Sequence, residues 1–258
     1  VPTPIGNMED ITYRALKVLN EVDVIFCEDT RISKELLKFY KITKKLISSN
    51  EQNELKRTEL MINYLSSNKN VAIITDRGTP IISDPGYILV KKAIEEGYEV
   101  IGLPGANAAT TALIISGLNP YPYLFYGFLK GNNKKKIENL KNLQKIKYSI
   151  IFYESVHHIQ ETLNLIYSVF GNRRVAICRE LTKMYEECVR DELENIINNF
   201  NVITLKGEFV IVVEGNNNDE DYSDLNLIDH VNLYISDGFE KMEAIKKTSK
   251  DLNLSKSE

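Results

Sequence analysis

The chain has 258 residues, enough for one large domain or two medium ones. With 43% apolar and 26% charged residues it has an ordinary globular composition, which excludes a collagen-like, fibrous or wholly disordered chain. A net charge of −4 argues against a protein that coats nucleic acid through bulk positive charge, and no apolar run approaches the ~18 residues of a membrane span.

Three cysteines, Cys27, Cys178 and Cys188, are an odd number with neither CxxC spacing nor histidines nearby, so no disulfide framework or zinc site is expected. A reduced cytoplasm is the simplest location. Both ends read as cut. Val1–Pro2 looks like the last step of a strand whose beginning is missing, and Ser255 with Glu258 has the spacing of a capping box, which opens helices.

Apolar runs and helical patches alternate up to about residue 215, which implies an α/β protein. Strands are expected at Val22–Cys27, Val71–Thr75, Glu99–Leu103, Tyr123–Phe128, Ser149–Tyr153, Arg174–Cys178 and Glu208–Val213. Helices are expected at Thr30–Tyr40, Glu54–Leu65 and His157–Phe170 from their spacing of apolar residues. The two prolines of Asn119–Pro120–Tyr121–Pro122 mark a first boundary, and the polar run Asn216–Asp221 marks a second. The expected organisation is an N-terminal α/β domain (1–118), a second α/β domain (119–215), a linker (216–223) and a helical region (224–258). In that last region Asp224–Ser236 and Phe239–Leu252 read as helices.

In such sheets ligands sit beyond the carboxyl ends of strands. Three strand ends carry special backbone chemistry: Pro2–Asn7, Thr75–Pro80 continuing into Asp84–Pro85–Gly86, and Leu103–Ala109. The small residues that open the helix after Leu103 let a ligand approach backbone N–H donors. None matches G-x-G-x-x-G or G-x-x-x-x-G-K-[ST], so a different small ligand from a dinucleotide or nucleoside triphosphate is implied. A second set of polar groups, Glu28–Arg31, Tyr153–Ser155 and Arg179–Lys183, also follows strands and suits acid–base chemistry and anion recognition. Taken singly, each of these residues is more often a helix cap or a solvated ion pair than a functional group. His157 and His158 are adjacent and point apart on a helix, so no metal site is expected. Charge is uneven: Lys130, Lys134, Lys135, Lys136, Lys141, Lys145 and Lys147 fall within 18 residues, and Lys34, Lys38, Lys41, Lys44 and Lys45 form a second stretch. These stretches suit phosphate contacts or a plain solvated helix face.

Together these loops resemble one family. Val1-Pro-Thr-Pro-Ile-Gly-Asn7, Glu28-Asp-Thr-Arg31, Asp76-x-Gly-Thr-Pro80 with Asp84-Pro-Gly-Tyr87, Leu103-Pro-Gly105, Phe152-Tyr-Glu-Ser155, Arg179-Glu-Leu-Thr-Lys183 and Gly207-Glu-Phe209 with Glu214-Gly215 are similar to the bacterial 16S rRNA (cytidine) ribose 2′-O-methyltransferases of the tetrapyrrole methylase superfamily. The resemblance implies two α/β domains with S-adenosyl-L-methionine in the cleft between them, and a homodimer acting on 16S rRNA or the 30S subunit. It implies a cofactor site of Ile5, Thr75, Asp76, Thr79, Asn107, Ala108, Tyr153, Glu154 and Leu181. Asp29, Glu180 and Lys183 are then candidates for orienting or deprotonating the ribose hydroxyl, with Arg31 as a phosphate or charge partner.

The chain departs from the family pattern at Arg77, Ala106 and Val156-His157-His158, where the family shows Ala, Pro and Pro-His-Arg. The last change removes an anchoring Arg. The helical C-terminal region matches the family only weakly and reads as truncated. Rival readings are methylation of a tetrapyrrole or a protein side chain by the same superfamily, and a non-catalytic RNA-binding protein.

Overall fold

The computed structural model describes residues 1–217, 226–236 and 238–251. It divides into two compact units, Val1–Gly215 and Asn216–Glu258. Within the first, α1 (Tyr13–Glu21), β1 (Val24–Cys27), α2 (Thr30–Phe39), β2 (Lys45–Ser48), α3 (Glu54–Ser66), β3 (Val71–Ile74), α4 (Tyr87–Glu95) and α5 (Ala108–Ser116) come first. Then follow β4 (Tyr123–Phe128), α6 (Asn133–Leu143), β5 (Ser149–Ser155), α7 (Ile159–Phe170), β6 (Arg174–Arg179), β7 (Glu187–Glu192), α8 (Leu193–Asn198) and β8 (Glu208–Val213). The α/β class is as the alternating apolar pattern implies. In the second unit α9 (Leu227–Ser236) and α10 (Lys241–Asp251) lie within the two expected helical stretches. The Ser255–Glu258 capping box and most of the expected linker lie outside the described residues.

The first sheet is parallel with order β2-β1-β3, and its register sets Cys27 beside Ser48 on one side and Ile74 on the other. Glu28 and Thr75 therefore leave the sheet side by side. All four residues of β1 are buried, as a central parallel strand requires. The second sheet, β4-β5-β8-β6-β7, is mixed, with only β4 and β5 parallel.

Three departures from the sequence pattern have physical causes. Glu99–Leu103 forms no strand, and Val100 and Ile101 stay exposed. The segment at that edge is Val1–Pro4, where the Val1 ammonium donates to the Ile73 carbonyl and Thr3 bridges Gly78. Its two prolines lack the N–H donors of a ladder. β2 and β7, which the apolar pattern does not mark, are edge strands whose polar residues stay at least partly exposed. In the lysine-rich helix α6, Lys136 turns inward and pairs with Glu161 at 3.3 Å, while its neighbours Lys134 and Lys135 remain exposed.

One helix ties the halves of this unit together. α5 follows the first sheet in sequence but packs on the second, with Ala109, Ala112 and Leu113 buried against Ile151, Ala176, Val210 and Val212. Its small residues permit a close approach, and full burial of one leucine such as Leu113 contributes roughly 1.5–3 kcal/mol. A proposed domain boundary near 118 therefore follows the chain, while α5 crosses to the other sheet in space.

The loop before α4 is held by one carboxylate. Glu54 Oε1 accepts from the backbone N–H groups of Gly86 and Ile88, both at 2.9 Å, at the positive end of that helix. We expect Glu54→Ala to lower unfolding free energy by about 1.5–3 kcal/mol, the range for hydrogen bonds to a charged group. Glu54→Gln should recover part of it, because its amide oxygen still accepts, and urea denaturation measures both.

Candidate active site

A cavity of about 340 Å³ opens between the loops of the two sheets. The first sheet's side contributes Ile5, Arg77–Thr79, Ile82–Asp84, Asn107 and Ala108. The second contributes Phe128, Tyr153–Ser155, Glu180, Leu181, Lys183 and Glu208–Val210. Seven of the nine residues that the resemblance assigned to a cofactor line it: Ile5, Thr79, Asn107, Ala108, Tyr153, Glu154 and Leu181.

Local structure explains these placements. Thr79 donates to the Ala106 carbonyl at 2.9 Å, joining the second and third loops. Asn107 caps α5 by accepting from the Thr110 N–H, and the Ala109 N–H donates to Tyr153 Oη at 3.1 Å. Burial pushes the Tyr153 phenol up to about 12, so it stays protonated and donates at neutral pH. Glu154 is buried and accepts from the Ser155 N–H and the Thr162 hydroxyl. Six non-glycine residues among those described have positive φ, and four of them, Ile81, Ser83, Glu180 and Thr182, sit in the cavity's loops. Such strain persists where surrounding packing over-determines the backbone, and it clusters at functional sites.

Thr75 and Asp76 do not line the cavity. Thr75 is buried and donates to Glu28 at 3.2 Å. Asp76 accepts the Asp29 N–H at 3.1 Å. Asp29 and Arg31 also lie outside the cavity wall, and Asp29 caps α2 by accepting from the Arg31 N–H. Its carboxyl is pushed down to about 2 by hydrogen bonds from the Arg31 side chain and backbone, which makes it a weak proton acceptor. The Arg31 side chain is 89% exposed.

Glu180 and Lys183 do line the cavity and form an ion pair at 2.7 Å. Burial works to raise the Glu180 carboxyl. The Lys183 and Glu208 hydrogen bonds, with the charges of Lys183 and Arg77, outweigh it, so the group lies below its ordinary value. Arg77 pairs with Glu208 at 2.7 Å, so this departure from the family pattern closes one side of the cavity with an exposed ion pair.

Sequence reasoning did not nominate Arg77, Ile82, Asp84, Phe128, Glu208 or Phe209 as site residues. Asp84, Glu208 and Phe209 stand inside the quoted motifs, and Phe128 ends a strand, so a rule of taking every polar or aromatic residue at those strand ends finds them.

The family model for tetrapyrrole (corrin/porphyrin) methylases matches residues 1–197. The chain belongs to this family. It is 46% identical to the ribosomal RNA small subunit methyltransferase I of Bacillus subtilis, over 100% of this chain and 90% of that protein. To the protein of the same name from Thermotoga maritima it is 44% identical, over 83% of this chain and 96% of that protein. Among solved structures, diphthine synthase matches with a TM-score of 0.65 at 16% identity, covering 82% of this chain and 87% of that one. A Thermus thermophilus uroporphyrin-III C-methyltransferase complexed with S-adenosylhomocysteine matches with a TM-score of 0.58 at 14% identity, covering 83% and 94%. These two show a shared tetrapyrrole methylase fold.

In this tetrapyrrole methylase, Gly207 has φ +82°, and an added Cβ would lie within van der Waals overlap of the Glu180 carboxylate. Gly207→Ala should therefore cost about 1–2 kcal/mol from the left-handed backbone. It should also displace Glu180 from Lys183, so the Glu180 carboxyl titrates higher than in the parent, as 13C NMR of labelled glutamate will read.

Proposed function

We propose that this chain is an S-adenosyl-L-methionine-dependent methyltransferase that methylates the ribose 2′-hydroxyl of a cytidine in the decoding region of 16S rRNA. The observation that carries the reading is a cavity in which motif residues from both sheets converge. Family membership supports methyl transfer, and the similarity to the small subunit methyltransferase I proteins supports rRNA as substrate. The reading includes a cytoplasmic homodimer whose substrate is 16S rRNA or the assembled 30S subunit. No helix among the described residues is long and apolar enough to cross a membrane.

The cavity fits the cofactor on its own chemistry. Its volume lies within the range of small-molecule sites. Ile5, Ile82, Leu181, Phe209 and Val210 offer an apolar wall for a purine, while Ala108 and Gly78 leave the backbone open to close approach. Phe128 and Tyr153, with ring centroids 5.6 Å apart, present aromatic faces suited to a sulfonium cation. S-adenosyl-L-methionine supplies a methyl group on a good leaving group, so positioning of the nucleophile accounts for much of the rate. The chain's own groups would hold the amino-acid end through Asn107 and Glu154 and orient the RNA through Lys183 and Arg77. Arg31, exposed on α2, would meet a phosphate.

The test is reconstitution with radiolabelled cofactor, offering 16S rRNA, 30S particles and a tetrapyrrole precursor separately. The expected result is one labelled cytidine whose 3′ phosphodiester resists alkali. Label on the tetrapyrrole alone, or on a base, overturns the reading. Arg31→Ala should weaken RNA binding and lower its salt slope by about 1, while cofactor affinity is unchanged.

A further inference from the structure

Methyl transfer to a hydroxyl needs a group that takes its proton. Among the cavity's carboxylates, Asp84 has neither a cation like those on Glu180 and Glu208 nor the backbone clamp that holds Glu154. Glu180 is paired with Lys183, Glu208 with Arg77, and Glu154 is fastened by a backbone N–H and Thr162. Among the described residues no Lys, Arg or His pairs with Asp84, although it lines the cavity. Resting on the methyl transfer proposed above, we propose that Asp84 is the catalytic residue that accepts the proton of the ribose 2′-hydroxyl, with Thr75 as its positioning residue.

Its neighbours come from three elements. Glu28 follows β1, Thr75 and Asp76 follow β3, and Tyr153 stands on β5. The Thr75 hydroxyl donates to Glu28 at 3.2 Å, and Thr75 also acts to lower the Asp84 carboxyl. Burial first, then the charge of Glu28 and more weakly that of Asp76, push the Asp84 carboxyl up to about 7, against the Thr75 hydrogen bond that lowers it. A base with that affinity is half charged near neutrality, matched to receiving a proton as a hydroxyl becomes acidic in the transition state. Ser83 at φ +66° before it, and the Glu54 clamp on Gly86 and Ile88 after it, hold the loop that aims it.

The step balances. The ribose oxygen forms a bond to the methyl carbon as the methyl–sulfur bond breaks. Sulfur leaves with that electron pair as a neutral thioether, and the hydroxyl proton moves to the Asp84 carboxylate. One carboxylate charge and one sulfonium charge disappear together.

The experiment compares the parent, Asp84→Asn and Thr75→Val. S-adenosylhomocysteine binding is measured by calorimetry, single-turnover methyl transfer to the active RNA substrate as a function of pH, and 13C aspartate titration without cofactor. Asp84→Asn should bind S-adenosylhomocysteine within about twofold of the parent and transfer methyl about 100-fold more slowly or worse. The parent rate should fall about tenfold per pH unit below the Asp84 transition, and that limb should be absent in Asp84→Asn. Thr75→Val removes a hydrogen bond to the charged form, so it should move the limb to higher pH. An aspartate titrating near 7 in the parent should vanish in Asp84→Asn.

A transfer rate in Asp84→Asn within about threefold of the parent overturns the assignment, as does an unmoved limb in Thr75→Val. So does a loss of S-adenosylhomocysteine affinity with transfer unchanged at saturating cofactor, which makes Asp84 a cofactor ligand. A parent that methylates no ribose removes the proposed function and the base together, whereas an active parent with an equally active Asp84→Asn removes the base alone.

Discussion

The burial of α5 on the second sheet is the contact on which the site depends. Ala109, Ala112 and Leu113 enter the core formed by Ile151, Ala176, Val210 and Val212. The loop ahead of the helix must then lie at the ends of β5 and β8. Without that contact Asn107 and Ala108 would have no reason to share a cavity with Tyr153 and Phe209. The Ala109 N–H to Tyr153 Oη hydrogen bond fixes the junction's register, and the Thr79 hydrogen bond to Ala106 brings the preceding loop along.

Once the two halves meet, electrostatics divide the cavity. On the second sheet's side every carboxylate is satisfied: Glu154 by neutral donors, Glu180 and Glu208 by Lys183 and Arg77. On the first sheet's side the parallel register of β1 and β3 sets Glu28 beside Thr75 and draws Asp76 and Asp84 into the same corner, with no basic partner on Asp84 among the described residues. Like charges crowded at partly buried positions raise one another's proton affinity. The arrangement separates a wall suited to binding from a corner suited to proton transfer.

Much of the fold was legible in the sequence because buried parallel strands are continuous apolar runs. Val24–Cys27 and Val71–Ile74 announce themselves in this way. Lys45–Ser48 and Glu187–Glu192 do not, since an edge strand keeps its polar residues in solvent and loses the period that would identify it. Glu99–Leu103 fails in the opposite sense: its side chains suit a strand, but pairing depends on a neighbour, and Val1–Pro4 offers few donors. For the site, motif order named most of the cavity wall through resemblance. It gave Asp29 a chemical candidacy that its ion pair with Arg31 opposes, and it treated Thr75 as a wall residue where the fold buries it and turns its hydroxyl to Glu28. Such distinctions depend on which side of a loop a side chain leaves. That is decided by backbone turns such as Ile81 and Ser83, whose residue types do not announce a positive φ.

The central claim is that the cavity between the two sheets is the cofactor cleft. Calorimetric titration of S-adenosylhomocysteine into the parent and into Ala108→Trp, with urea denaturation of both to show that the variant is folded, tests it most directly, because the indole would fill the wall beside Tyr153. The account predicts one site per chain in the parent and at least about tenfold weaker binding in Ala108→Trp. No binding by the parent, or equal affinity in both proteins, would contradict it.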